Sequence, residues 1–364
     1  MRQVVYWVVG LMLGLVSTVS SWAATEERIQ FGRFQSRAIF RPATSGCEAP
    51  LVIMIPGSGA NGPEEMMPAA ITADGKEHSL FAEFAEGLQR SGKVATLALG
   101  KPGVEFFSGW NPKTYYYDRN LYMNLTWGQL IENVIDAIEL AKTLPCVDSA
   151  RISLLGHSEG TQVAVDLAHR YPTLVKNLIL LGFSGENLAT TIDWQVYQRE
   201  LDSWIIPDVD SNQDGFVSRI EAQVWPEFQW PWQDGQDNIS LGDISAAIRA
   251  DPERKKLYDR LISGKIWEGE VNRTPIYGEA AALVQNLFVF TGALDVQTRP
   301  EEALKMGEIC AQMGKQNCRV SIVPNVGHGM SEPKGPRKQK FLDMTLGPVA
   351  ESFKLLMTDL SEQL

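Results

Sequence analysis

Basic residues never gather densely in this 364-residue chain except between Lys334 and Lys340, and 33 Lys and Arg stand against 44 Asp and Glu, a net charge of −11. This argues against nucleic acid as a partner, because gripping phosphates takes a cationic face. The short Lys334–Lys340 stretch reads as a solvated loop. Long apolar runs are also scarce. The one near the N-terminus, Val4 to about Val16, is shorter than the roughly 20 residues that a membrane span requires. With Arg2 before it and the small residues Ser21 and Ala23 after it, it resembles a secretory signal peptide. Residues 1–24 are therefore expected to be removed, leaving a secreted or periplasmic chain with no stable membrane span; an uncleaved anchor is the alternative.

Cysteine is sparse, at four residues (Cys47, Cys146, Cys310 and Cys318), and no Cys-x-x-Cys occurs. A zinc or redox role for these residues has no support. An even number in an exported chain suits two disulfides. Cys310 and Cys318 flank a short helix-to-strand connection, which favours that pairing and leaves Cys47 with Cys146. The connectivity stays open, with buried free thiols as the alternative.

What the chain does have is core-forming residues: 44% hydrophobic and 21% charged content suit an ordinary globular protein. Arg28 to Phe40 suits an opening hairpin. Leu51–Ile55, Val94–Leu99, Ile152–Leu155, Leu178–Leu181, Leu287–Phe290 and Val320–Val323 are short apolar runs of the kind found in strands buried on both faces. Between them lie helical patterns over Phe81–Leu88, Ile131–Ala141, the residues after Gly160, and Glu301–Met313, with a last helix expected over Met344–Leu360. This alternation predicts an α/β architecture, a mostly parallel sheet with helices on both faces. The rhythm breaks between about Gly185 and Glu279, where no strand-like run occurs and Trp194, Trp204, Trp225, Trp230, Trp232 and Trp267 crowd together. The expected organisation is a core over 25–184 and 281–364, with a helical cap insertion at 185–280. The tryptophans either line a pocket above the strand ends or form a satellite core.

Gly156-His157-Ser158-Glu159-Gly160 follows one of the apolar runs and leads into a helical pattern carrying Val163, Ala164, Leu167 and Ala168. It reads as a nucleophile elbow, a sharp strand-to-helix turn that pushes a serine hydroxyl out of the sheet and needs glycines two positions to either side. A serine hydroxyl is a weak nucleophile and needs a base, which needs an acid to fix its tautomer. Of four histidines, His157 adjoins the serine and is expected to point away from its hydroxyl, His169 lies about three turns along the same helix, and His78 precedes a helix away from any strand end. His328, just past the run Val320–Val323, is correctly placed. Asp295, after Leu287–Phe290, is the expected acid, giving the chain order serine, acid, histidine; Glu186 is the alternative. The charge that builds on oxygen during attack needs two amide donors. These are expected from the backbone N–H groups of Glu159 and of Ser58 in Pro56-Gly57-Ser58-Gly59, where Pro56 has none to offer.

Pro-Gly-Ser-Gly after an early strand, paired with Gly-His-Ser-Glu-Gly, resembles an esterase group within the α/β-hydrolases, over about Leu51–Phe183 and Ala282–Leu364. The resemblance implies the α/β-hydrolase fold and hydrolysis of small-molecule carboxylic esters through an acyl-enzyme on Ser158, without an organic cofactor. Members often continue the first motif with Pro and an Asp-Arg-Asp run. This chain continues with Ala60-Asn61-Gly62-Pro63-Glu64-Glu65, a departure that bears on substrate preference.

Within the insertion, residues 210–221 match a twelve-residue EF-hand loop position for position. Ca²⁺ takes six to eight oxygens, here expected from the side chains of Asp210, Asn212, Asp214 and Glu221, the Phe216 carbonyl, and Ser218 or its water, with Ile220 packing inward. Pro207 argues for a short or broken entering helix. Residues 234–243 look like a decayed partner loop, with Asp237 where glycine is required. A structural calcium ion in the cap is the expectation. The competing reading is a non-catalytic calcium-dependent binding protein on a hydrolase scaffold, and thioesterase or peptidase activity would use the same machinery.

Overall fold

Eight strands form one sheet: β1 (Glu27–Phe31), β2 (Ser36–Arg41), β3 (Ala49–Ile55), β4 (Ala95–Leu99), β5 (Val147–His157), β6 (Asn177–Leu181), β7 (Asn286–Gly292) and β8 (Cys318–Val323). This computed structural model describes residues 26–109, 117–333 and 347–364. The expected signal segment 1–24, the Lys334–Lys340 stretch and the start of the helix expected from Met344 lie outside the described residues. The spatial order is β1-β2-β4-β3-β5-β6-β7-β8. β2 runs antiparallel to both neighbours, and β4 through β8 pair in parallel. The architecture is thus α/β with a mostly parallel sheet, as the alternation predicts.

Helices cover both faces. On one, α1 (Leu80–Gln89) and α5 (Glu351–Ser361) meet each other, the rings of Phe84 and Phe353 packing edge to face at 6.1 Å. On the other, α2 (Trp127–Ala141), α3 (Glu159–Arg170) and α4 (Pro300–Gln312) bury Ile131, Val134, Ile138, Val163, Leu167 and Met306. Each such side chain, fully buried, contributes about 1.5–3 kcal/mol of transfer free energy. The start of α2 is fixed by a capping box between Thr126 and Gln129, which satisfies amides that the helix leaves unpaired. Two disulfides are present, Cys47–Cys146 and Cys310–Cys318, the pairing that the spacing favours.

The last helix departs from expectation: it begins at Glu351, not Met344. Pro348 has no N–H to enter a helix, and Val349 is committed to a bridge with Ser331 and to Glu83, whose carboxylate accepts its N–H. β5 is also longer than its apolar run, because Val147–Arg151 lie at the rim with their side chains partly or fully exposed.

The segment between β6 and β7 has an apolar cluster of its own, including Ile205, Val209, Val217, Ile239, Ile244 and Ile248. It is mostly helical, with π-helical turns over Trp194–Gln198 and Leu201–Val209, the latter containing Pro207. Contrary to expectation it also contains two three-residue strands, Phe216–Ser218 and Asn238–Ser240, paired antiparallel with Val217 opposite Ile239. Strands this short leave no readable alternation. Ile220 does not pack inward: it is 78% exposed, Val217 is the buried apolar side chain of the loop, and Asp210 is buried as well. The exiting helix that would have turned Ile220 inward is reduced to a 3₁₀ turn over Glu221–Val224. Among the described residues no helix is long and apolar enough to cross a membrane.

Candidate active site

β5 delivers Ser158 at its carboxyl end with φ 55° and ψ −120°, a region that non-glycine residues occupy only under strain. The neighbours make this turn possible. A Cβ on Gly156 would lie 2.2 Å from the Gly160 carbonyl oxygen, and one on Gly160 would lie 2.3 Å from that of Ile55, so the elbow admits no side chain at either position. The Ser158 N–H donates to the Leu181 carbonyl at 2.9 Å, stitching the elbow to the end of β6.

The turns after β7 and β8 supply the next two side chains. Asp295, fully buried, accepts from the amides of Gln297 at 2.7 Å and Thr298 at 2.9 Å, and from the Thr298 hydroxyl at 2.9 Å. Its Oδ2 lies 2.8 Å from His328 Nδ1. Burial works against the Asp295 charge, but the His328 ring and the Thr298 and Gln297 amides outweigh it and hold the carboxyl below the usual carboxylate range. Gly182, at the end of β6, leaves room for the imidazole: a Cβ there would sit 2.9 Å from His328 Cε1. His328 and Ser158 line one cavity of about 210 Å³. Among the described residues no hydrogen bond joins Ser158 Oγ to the His328 ring in this conformation. With Nδ1 turned to Asp295, Nε2 is the nitrogen left for the serine, and such bonds often tighten only around substrate.

Of the expected amide donors, Ser58 and Glu159 both line a second cavity beside Ser158, of about 260 Å³. The Gly57 N–H is unsuited to that role because it donates to Glu65 Oε1 at 2.9 Å. Glu186, the alternative acid, is engaged elsewhere, accepting from the Tyr277 hydroxyl at 3.0 Å and Lys305 Nζ at 2.8 Å. His78 sits between Asp74 and Glu83, and His169 lies exposed in the last turn of α3.

The same cavity contains groups that sequence reasoning missed. Lys101 Nζ donates to Glu159 Oε1 at 2.6 Å, with both side chains almost fully buried. Gln162 Nε2 donates to the carbonyls of Ser184 and Glu186 and to Ser184 Oγ. Three acceptors around one nitrogen fix the amide orientation, so Oε1 is the buried acceptor without a partner. A lysine directly after a buried strand, as in Gly100-Lys101, was the available signal for the first; Gln162 carries none. The opposite wall is apolar and comes from the insertion: Leu188, Ile192, Leu261, Ile266 and Trp267. Trp267 also stacks on Trp127 of α2, ring centroids 5.0 Å apart. The other tryptophans of the insertion do not line this cavity; Trp225, Trp230 and Trp232 pack in sequence around Phe228. The insertion therefore forms both a pocket wall and a satellite core.

In the acidic loop of the insertion, Asp210 accepts the N–H groups of Asp214 and Gly215, each at 3.1 Å, and Asn212 and Asp214 accept those of Asp214 and Phe216. Glu221 accepts from the amide and hydroxyl of Ser211 with Oε1 and of Ser218 with Oε2. The Ser218 amide is the foremost of the bonds that lower its pKa. Among the described residues no three His, Cys, Asp or Glu side chains converge as a metal cluster. Residues 234–243 run through the short strand Asn238–Ser240 into a helix start, where Ser240 Oγ accepts the Asp243 N–H and donates to its carboxylate.

No protein-family model matches the chain, and no curated protein matches it. Solved structures of similar fold include MGS-M2, an α/β hydrolase enzyme from a Medee basin deep-sea metagenome library, with 12% identity, TM-score 0.46, and 93% of this chain and 98% of that one covered. Est1E from Butyrivibrio proteoclasticus aligns with 14% identity and TM-score 0.45 over 92% and 98% of the two chains. The CarC serine hydrolase involved in carbazole degradation aligns with 14% identity and TM-score 0.47 over 94% and 100%. Likenesses this distant carry no argument about activity, which rests on the residues themselves.

Proposed function

We propose that the chain is an exported serine hydrolase on an α/β-hydrolase fold that cleaves carboxylic esters through an acyl-enzyme on Ser158. The observation that carries this reading is the buried Asp295–His328 bond of 2.8 Å beside a strained elbow serine that lines the same cavity as the imidazole. In this scheme His328 Nε2 takes the Ser158 proton as Oγ attacks the ester carbonyl. Asp295 stabilises the imidazolium, and the Ser58 and Glu159 amides donate to the developing oxyanion. Collapse breaks the bond to the alcohol oxygen, which leaves with the proton from His328. Water then attacks the acyl-enzyme and gives a proton to His328; the bond between the acyl carbon and Ser158 Oγ breaks, His328 returns the proton to Oγ, and the acid is released. Nucleophile, base, acid and donors all come from this chain, so the scheme asks for no organic cofactor. The cavity of about 260 Å³ with Trp267 in its wall suits a compact acyl or aryl group. Two disulfides suit export to an oxidising compartment.

The loop at 210–221 is proposed to hold a structural calcium ion. Its amide pattern and its pairing with Asn238–Ser240 fit an EF-hand loop, and Asp210, Asn212, Asp214, Glu221, the Phe216 carbonyl and Ser218 are the oxygens that would hold it. The ion would supply charge neutralisation within the cap, apart from the chemistry at Ser158.

The direct test is hydrolysis of short-chain aryl esters, alongside thioesters and peptides of matched size. Ester turnover that Ser158→Ala and His328→Ala each lower by on the order of 10⁴-fold or more is expected. Turnover unaffected by Ser158→Ala would overturn the reading.

A further inference from the structure

His157, which the sequence sets aside as a candidate base because it is expected to point away from the serine hydroxyl, is buried between Glu65 and the His328 loop. Its ring is buried at 2% exposure and its neighbour Glu65 at 1%. Glu65 Oε1 lies 2.9 Å from His157 Nδ1 and accepts the Gly57 N–H at 2.9 Å. His157 Nε2 lies 3.2 Å from the backbone carbonyl oxygen of His328. The two imidazoles are adjacent, with centroids 4.8 Å apart.

Proton positions follow from what each partner can do. A carbonyl oxygen only accepts, so Nε2 carries a proton. A carboxylate oxygen at hydrogen-bond distance from Nδ1 requires a second proton between them, since two bare lone pairs would repel. That proton favours nitrogen, because Glu65 Oε1 also accepts the Gly57 N–H, and a second donated hydrogen bond stabilises the carboxylate form. The ring is then doubly protonated, and its charge is balanced by Glu65. The groups facing it are Glu65, Asp295, the His328 ring and carbonyl, and the ring edge of Phe84 at 6.0 Å. Burial opposes the charge, but Glu65, the His328 carbonyl and Asp295 outweigh it and raise the His157 pKa.

We propose that Glu65 and His157 form a buried ion pair that positions three parts of the site at once: the oxyanion loop through Gly57, the nucleophile elbow through His157 itself, and the base loop through the His328 carbonyl. By engaging the Gly57 N–H, Glu65 sets the loop conformation in which Ser58 lines the substrate cavity. Both are positioning residues and neither touches the reacting atoms. The inference rests on the esterase reading for its consequence in catalysis, but the charge state of His157 does not.

The test combines a spectroscopic readout with a double-mutant cycle. In the unmodified enzyme, ¹⁵N NMR of the imidazole nitrogens is expected to show His157 with both nitrogens protonated at pH 7.5; a neutral ring there would overturn the proposal. Glu65→Gln and His157→Gln are each expected to lower kcat by on the order of 10- to 100-fold through misplaced catalytic groups, with KM within about threefold. The double variant should be no worse than the poorer single one, since coupled partners are not additive. Glu65→Gln should also move the alkaline loss of kcat to lower pH, because the carboxylate that holds the second proton on His157 is gone. Single variants at full kcat, or strictly multiplicative losses, would overturn the positioning role. Failure of Ser158 to turn over any ester would sink the esterase reading, while the NMR result would still decide the ion pair.

Discussion

The sheet and the insertion above it satisfy their polar groups in different ways. In the sheet, functional polar atoms are buried and held by several partners each: Asp295 accepts from two amides and a hydroxyl besides facing His328. In the insertion, the polar atoms of the 210–221 loop are bonded chiefly among themselves, around the buried Asp210 but otherwise near the surface, and Glu221 is held by two serines. The first arrangement fixes geometry before substrate arrives. The second leaves oxygens that an ion could draw together. In the proposed scheme the chemistry belongs to the sheet, and substrate selection and the calcium contribution belong to the insertion.

Three substitutions or conditions would break or sharpen this contrast. The largest effect is expected in the sheet: Asp295→Asn should lower kcat by on the order of 10⁴-fold, because the amide favours the wrong imidazole tautomer. Steady-state kinetics across pH check it, and a loss under tenfold would show that the acid lies elsewhere. The same carboxyl sets an acid limit on stability. Its pKa is lowered in the fold, so its stabilisation is present above the ordinary Asp range and is lost as pH falls through the depressed folded value. Thermal unfolding from pH 6 down to pH 2 should show a smaller loss in Asp295→Asn than in the parent, the remainder coming from other carboxylates with lowered pKa such as Glu86 and Asp148.

An intermediate effect is expected at the wall of the cavity. Trp267→Ala should raise KM for aryl esters about tenfold, about 1.4 kcal/mol of binding, with kcat changing less. It should also cost about 3 kcal/mol of stability, since Trp267 packs on Trp127. Equal KM for aryl and small alkyl esters in parent and variant would remove the insertion from substrate selection.

The smallest effect is expected from calcium. With a dissociation constant in the roughly 10⁻⁴ to 10⁻³ M range of extracellular modules, 10 mM calcium should stabilise the parent by about 1.4–2.7 kcal/mol, a rise in Tm of a few degrees. The rise should vanish on chelation and in the Asp210→Ala/Glu221→Ala double variant, while kcat at the serine persists. Identical melting with and without chelator would mean that the loop binds no calcium.

Legibility in the sequence follows the same division. Strands buried on both faces, such as Leu51–Ile55, appear as continuous apolar runs because both faces exclude water. Their carboxyl ends pointed to Ser158, Asp295 and His328, which the structure brings into one region. Local spacing favoured the Cys310–Cys318 pair, while Cys47–Cys146, 99 residues apart, was left only as the remainder. The rim of β5 was invisible because Ser149, Ala150 and Arg151 are exposed and only Val147 packs against the core, too little for an apolar run. The short strands of the insertion, the outward turn of Ile220 and the late start of α5 depend on tertiary partners: Asn238–Ser240 for Phe216–Ser218, and Ser331 and Glu83 for Val349. Glu65 and Lys101 come to the site from loops whose side chains follow no period, and only the folded contacts reveal that one faces His157 and the other Glu159.

The proposed chemistry requires Ser158, Asp295 and His328 to work as one unit, and covalent capture of the nucleophile tests that most directly. Treated with a fluorophosphonate, the protein should gain one adduct, mapped by peptide mass spectrometry to Ser158, with labelling slowed by several orders of magnitude in His328→Ala. An adduct elsewhere, or labelling at the same rate without the imidazole, would contradict it.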